Sequence, residues 1–205
     1  PIFAYGEEDG IVYMAMRYMD TGTLTDLIRQ RKLTLTEATR FLNQMASALD
    51  YAHNHDVIHR DIKPSNVLLD SQGNTFLTDF GIAKMVEGSS LKGEGGAVLD
   101  LTGTGIIGTP SYMSPEQCRG EKNLPPASDQ YSLGVVLYQM VTGRTPYQAE
   151  TPIAVLHMQL TNAPLSPPSS LRPGLPQAAE GVILKSLARD PADRYPTCVA
   201  MAEAF

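Results

Sequence analysis

Cysteine is scarce. Cys118 and Cys198 are the only two in 205 residues, far apart and with no second ligand pair near either. That excludes a disulfide framework and a zinc-binding spacing, and it fits a reducing compartment. Cys118 reads as a small, partly buried residue rather than a reactive thiol. Long hydrophobic runs are also missing. No stretch reaches the ~18 apolar residues of a bilayer-spanning helix, and no signal-peptide pattern occurs. Basic residues are few: 16 Lys and Arg against 22 Asp and Glu leave a net charge of −6. Nucleic acid selects basic faces, so it is not expected as a partner, although a local basic groove for nucleotide phosphates is compatible with this balance. No internal repeat and no second domain boundary is visible, and the length suits about one domain.

What is present is patterned. Residues 1–5 and 11–17 are short apolar runs around Gly6-Glu7-Glu8-Asp9-Gly10, which predicts a β-hairpin. Tyr18 to Gly22 form a connector and Thr23 to Arg31 a short helix. Thr34-Leu35-Thr36-Glu37 fits a capping box. Ala38, Phe41, Leu42, Met45, Leu49 and Ala52 then recur at helical spacing and predict a helix to about Asn54, buried on that face. His53 and His55 read as helix-terminus and surface residues, not ligands. Val67–Leu69 and Thr75–Thr78 predict two strands around the turn 70–74. Residues 85–108 hold seven glycines and little apolar bulk, the composition of a functional or disordered loop. Further on, a short helix is expected at Pro115–Arg119 and a helix apolar nearly all round at 128–142, capped by Gly143. Three more helices are expected at 152–160, 176–188 and 196–205. Pro164, Pro167, Pro168 and Pro173 mark an extended surface link between them.

The most informative segment is His59-Arg60-Asp61-Ile62-Lys63-Pro64-Ser65-Asn66-Val67-Leu68-Leu69-Asp70, with Asp79-Phe80-Gly81 thirteen residues after Asn66. The antiparallel hairpin between them brings Asn66 and Asp79 to one end. These motifs resemble the eukaryotic-type serine/threonine protein kinase catalytic domain. The resemblance implies an α+β, protein-kinase-like fold, mainly the helical large lobe plus a hinge hairpin from the small lobe. It implies 1–17 as the last small-lobe strands, 18–22 as the hinge, and 23–205 as the large lobe with an activation segment at 79–116. It implies ATP-dependent transfer of the γ-phosphoryl group to Ser or Thr hydroxyls of proteins, with ATP and Mg2+. Asp61 is then the base, Lys63 stabilises the moving charge, and Asn66 and Asp79 hold magnesium.

Later segments carry the same resemblance. Gly108-Thr109-Pro110-Ser111-Tyr112-Met113-Ser114-Pro115-Glu116 is similar to the end of an activation segment, with Ser114 where alanine is usual. The likeness implies that Glu116 pairs with Arg194, and that Asp129 hydrogen-bonds the catalytic-loop backbone. Ile11 to Met19 resemble the last small-lobe strand and hinge. Met16 is then the gatekeeper, the backbones of Arg17 and Met19 meet the adenine edge, and Leu68 lies under the ring. Lys63 with Thr109 implies Ser/Thr preference, the Thr109 hydroxyl bridging Asp61 and Lys63. Arg60, with Lys84, is implied as a clamp for a phosphate on Thr102 or Thr104. Gly143–Tyr147, Ala149–Pro152 and the 165–173 link resemble bacterial signalling kinases.

Nothing in the sequence matches the family's glycine-rich phosphate loop, its strand lysine or that lysine's glutamate. The start Pro1-Ile2-Phe3 and the close at Phe205 are accordingly expected to be cut ends, the 205 residues alone inactive, and an apolar face of the hinge hairpin uncovered. Two alternatives stand beside the enzyme: a non-catalytic, pseudokinase-type scaffold, and a small-molecule phosphotransferase on a related fold. The expected site of action is cytoplasmic, with no membrane contact by this segment and a parent anchored, if at all, through residues not included here.

Overall fold

A short polar side chain ahead of an apolar stripe starts most helices of this chain. The structure, a computed structural model, describes residues 2–8, 10–80, 110–161 and 163–205. Strands β1 (Ile2–Glu8) and β2 (Ile11–Met16) pair antiparallel, with Glu8 opposite Ile11. Gly6, Glu7 and Glu8, expected in the loop, extend β1 because their partners Tyr13, Val12 and Ile11 continue the ladder. From Phe3 to Glu8 and from Ile11 to Met16 the strands are exposed except at half-buried Gly6, with Phe3, Tyr5 and Val12 prominent. The expected uncovered apolar face is therefore present on this hairpin.

Helix α1 (Leu24–Gln30) begins at a capping box between Thr23 and Asp26. Helix α2 (Leu35–His53) begins at the box between Thr34 and Glu37. In both, the hydroxyl takes an orphan N–H of the first turn and the carboxylate returns to the cap N–H. All six residues of the predicted α2 stripe are buried, along with Ala46. Strands β3 (Val67–Leu69) and β4 (Thr75–Leu77) pair antiparallel, Val67 opposite Leu77. Asp70 accepts from the Gln72 and Asn74 N–H groups at 2.9 and 2.7 Å and closes the turn.

The short helix α3 (Pro115–Cys118) leads to α4 (Ala127–Thr142), buried on its whole circumference except at Ala127 and Gln139. Gly143 ends α4 at φ 87°, a left-handed conformation that glycine enters without steric cost. Helix α5 (Pro152–Thr161) packs on α3 and on the 3-10 turn Pro110–Tyr112, while α2 and two later helices, α7 (Gln177–Ser186) and α8 (Cys198–Ala204), stand around the central helix. One expectation is corrected here. The link at 164–173, predicted extended, contains the helix α6 (Pro168–Leu171). Pro168 occupies its first turn, where a missing N–H costs nothing, and Glu180 of α7 accepts from the Ser169 N–H at 2.6 Å. The other helices lie within a residue or two of their predicted spans. The glycine-rich stretch 85–108 lies outside the described residues.

Candidate active site

The loop between α2 and β3 carries the charged motif, and its backbone is held in an uncommon shape. Asp56 and Arg60 of this loop sit at φ 58° and 70°, and Asp79, just after β4, sits at φ 64°. Left-handed backbone at non-glycine residues costs of order 1–3 kcal/mol and persists only where surroundings enforce it. The enforcement at Arg60 is visible. Asp129 of α4, 1% exposed, accepts from the His59 N–H and the Arg60 N–H, both at 2.8 Å. On the other side, Gln117 of α3 donates its Nε2–H to the Arg60 carbonyl at 2.7 Å. One buried carboxylate and one carboxamide thus fix both peptide groups of Arg60.

His59 is fully buried, and its ring spans the site. Nε2–H donates to the Thr78 carbonyl at 2.9 Å, while Nδ1 takes a long 3.4 Å bond from the Asp61 N–H. That pattern requires the neutral imidazole with its proton on Nε2. Burial holds the ring below its ordinary pKa, outweighing the nearby Asp129 charge. The ring also packs on Phe80, centroids 4.4 Å apart.

Asp61 lies between two partners. Lys63 Nζ is 2.7 Å from its Oδ2, and Asn66 Nδ2 donates to the same oxygen at 3.1 Å and to the Asp61 carbonyl at 2.9 Å. Asn66 is buried at the end of a 3-10 turn, Pro64–Asn66. Its amide nitrogen is committed to Asp61, so its Oδ1 faces the other way. The Thr78 N–H donates to the Asn66 carbonyl at 3.0 Å, one rung beyond the β3–β4 ladder, which carries exposed Asp79 to the same end of the hairpin. Asn66 and Asp79 thus offer oxygen donors, the chemistry that suits a hard divalent cation.

At the other edge, the Leu69 N–H donates to the Gly22 carbonyl at 3.0 Å and Thr23 bridges Leu68. These bonds stitch the 18–22 connector to β3, so Leu68 lies beside the segment that follows Met16, Arg17 and Met19. Met16 and Arg17 are exposed; Met19 and Leu68 are half-buried.

Glu116 and Arg194 meet as expected, in a buried two-pronged pair at 2.7 and 2.9 Å. Burial works against the Glu116 charge, but the bonds from Arg194 and from Ser128 prevail and hold its carboxyl below the usual range. Cys118 is buried, its thiol pushed up to about 12 chiefly by burial, and it donates to Gln159 Oε1 at 3.1 Å. Thr109, Lys84, Thr102 and Thr104 lie outside the described residues.

One expectation fails. His53 is not a surface residue: its side chain is 8% exposed and lies 2.8 Å from Asp129. It stands four residues after Leu49, on the stripe that faces the core, and that spacing was the available signal. Sequence reasoning also missed Gln117, although Ser114-x-x-Gln117 has the spacing of a capping box and forms one. Its grip on Arg60 has no local sequence signal.

A family profile described as the protein kinase domain matches residues 2–205. The serine/threonine-protein kinase PrkC of Bacillus subtilis is 39% identical over 98% of this chain and 29% of its own length. The serine/threonine-protein kinase PknB of Mycobacterium tuberculosis is 35% identical over 92% of this chain and 29% of its own length. A probable PknB of Lactococcus lactis is 38% identical over 93% of this chain, again 29% of that protein. The chain therefore spans under a third of the length of these three relatives, each of them a bacterial protein described as a serine/threonine-protein kinase. Matched along nearly its whole length, and carrying the resembling motifs in one connected site, the chain belongs to the protein kinase domain family.

Proposed function

We propose that this domain serves ATP-dependent phosphoryl transfer to serine or threonine hydroxyls of a protein substrate. One observation carries the reading: the Asp61 carboxylate, held between Lys63 and Asn66, projects from a loop that Asp129 anchors at two amides. Asp61 accepts the proton of the incoming hydroxyl. The hydroxyl oxygen bonds to the γ-phosphorus, the bond to the β-phosphate bridging oxygen breaks, and ADP leaves. Lys63 puts a positive charge where the transferring group develops negative charge. Asn66 Oδ1 and the Asp79 carboxylate are the donors we assign to magnesium, which when bound neutralises phosphate charge. Met16, Arg17, Met19 and Leu68 form the adenine side of the reading. Thr109 with Lys63 forms its Ser/Thr preference. A phosphate on Thr102 or Thr104 gripped by Arg60 and Lys84 forms its regulatory part.

The test is turnover and nucleotide binding in the full-length protein. Asp61→Ala should lower kcat by ~10²–10⁴, the usual share of a general base, while leaving nucleotide affinity within a few-fold. Asp79→Asn should instead shift the magnesium titration of nucleotide binding. Near-normal kcat in Asp61→Ala would falsify the assignment, and full magnesium-dependent binding without any turnover in the unaltered protein would favour the scaffold.

A further inference from the structure

Behind the catalytic loop lies a polar cluster that the proposed chemistry does not use. His53, at the end of α2, has Nε2 2.8 Å from Asp129 Oδ2 and Nδ1 3.8 Å from Asp50 Oδ1. The oxygen it meets on Asp129 is the one that also accepts from the His59 N–H; the other oxygen accepts from the Arg60 N–H. Asp50 in turn accepts from the Cys198 and Val199 N–H groups, both at 2.9 Å, at the start of α8.

Asp50, His53 and Cys198 present donor atoms within 4.8 Å of one another, a spacing that a metal can use. The chemistry argues against a metal. Burial, then the Asp50 charge, pushes the Cys198 thiol well up, so a thiolate is disfavoured there. Both Asp50 oxygens already take backbone amides, and His53 Nε2 is turned to Asp129. The cluster is committed to protein partners.

We infer that His53 is a positioning residue: by donating Nε2–H to Asp129 it fixes the carboxylate that holds the His59 and Arg60 amides, and so the loop that presents Asp61. An ionised carboxylate only accepts, so the proton between these atoms belongs to the imidazole. Asp129 is almost fully buried, and its charge needs donors on every side. Without His53, Oδ2 keeps one donor, and the carboxylate can rotate away from the pair of amides that enforces the left-handed turn at Arg60. Asp50 Oδ1, 3.8 Å from Nδ1, lies beyond hydrogen-bond reach, so the bond that orients the imidazole is the one to Asp129. This inference rests on the proposed role of the Asp61 loop for its catalytic consequence, and on the hydrogen bonds alone for its structural one.

The experiment measures amide hydrogen exchange and steady-state kinetics on the full-length protein. His53→Phe keeps the ring volume and removes the donor; His53→Gln keeps an N–H near the Nε2 position. Loss of a hydrogen bond to a charged group should speed exchange at the His59 and Arg60 amides about tenfold in His53→Phe, with kcat about tenfold lower and KM for nucleotide within about twofold. His53→Gln should restore both. Should His53→Phe not fold, His53→Asn, whose amide stops short of Asp129, takes its place against His53→Gln. Equal exchange at His59 and Arg60 in the donor-less and donor-bearing variants overturns the inference, whatever the turnover. The expected exchange pattern in a protein with no phosphoryl transfer at all overturns the proposed activity and leaves the positioning role standing.

Discussion

His59 shows how much a single buried ring decides. Its two nitrogens meet a carbonyl that only accepts and an N–H that only donates, so only the neutral tautomer satisfies both. Protonating Nδ1 would set two N–H groups against each other and place a charge in a fully buried position. Burial accordingly lowers its pKa from the ordinary 6.5. The sign of the linkage follows. The unfolded chain takes up this proton before the folded one does, so the contribution of His59 to stability is complete above pH 6.5 and is lost as pH falls through the lowered folded value. Mild acidification should therefore loosen the loop through this ring. A proton NMR titration should place the His59 midpoint below the ordinary 6.5. A His59 midpoint at or above 6.5 would contradict the tautomer assignment.

Elements of the chain were legible wherever local chemistry decided their shape. Thr34 and Glu37 mark the start of α2 because a hydroxyl and a carboxylate three residues apart fit the same first turn in any context. The apolar stripe that follows is a period, readable without tertiary knowledge. The helix α6 was not legible, because its prolines are compatible with an extended link and its first turn is held by Glu180, eleven residues away from Ser169. The packing of α4 on α7 was also hidden. Gly134 lies in the middle of α4, where glycine costs ~1 kcal/mol relative to alanine. A Cβ there would lie 2.3 Å from Ser186 Oγ and 2.9 Å from Ser186 Cβ. Ser186 is fully buried and its hydroxyl is bonded to the Ile183 carbonyl at 2.7 Å, so it has little room to yield. Gly134→Ala should therefore lower stability despite its better helix propensity, by ~1–3 kcal/mol as overpacking usually does. Urea unfolding is the check, and adding Ser186→Ala, which removes the nearer atom, should recover part of the loss. A stabilised Gly134→Ala variant would show that the two helices separate freely.

Across the whole molecule, the site was legible as a set of residue types and offsets, and much less so as a mechanical assembly. Asp61, Lys63 and Asn66 are neighbours in sequence, so their cluster follows from one loop. The parts that hold the loop come from far away: Asp129 lies 69 residues from Arg60, and Gln117 lies 57. Resemblance supplied Asp129; nothing local supplied Gln117, and His53 was marked only by its spacing from Leu49 on the buried stripe. The same holds for the joint between the end of the activation segment and the C-terminal helices. Arg194 uses all five of its N–H donors: two on Glu116, and the others on the carbonyls of Ala127, Ala188 and Arg189. Its guanidinium also lies 5.0 Å from the Tyr131 ring centroid. Three distant segments are joined through one buried charge, whose only ionic partner among the described residues is Glu116. Glu116→Gln keeps the size of the side chain and removes the countercharge, leaving a buried guanidinium uncompensated. Breaking such a pair typically costs about 3–5 kcal/mol. The pH dependence provides a second reading of the same interaction. The folded Glu116 carboxyl titrates below its unfolded value of 4.5, so its contribution is present above that pH and is lost as pH falls through the lowered folded value. Denaturation curves of the unaltered protein and Glu116→Gln should accordingly lie far apart at neutral pH and converge on acidification below 4.5. Curves that stay parallel down to strong acid would show that the loss at neutral pH comes from repacking around the substituted carboxamide and not from the missing charge.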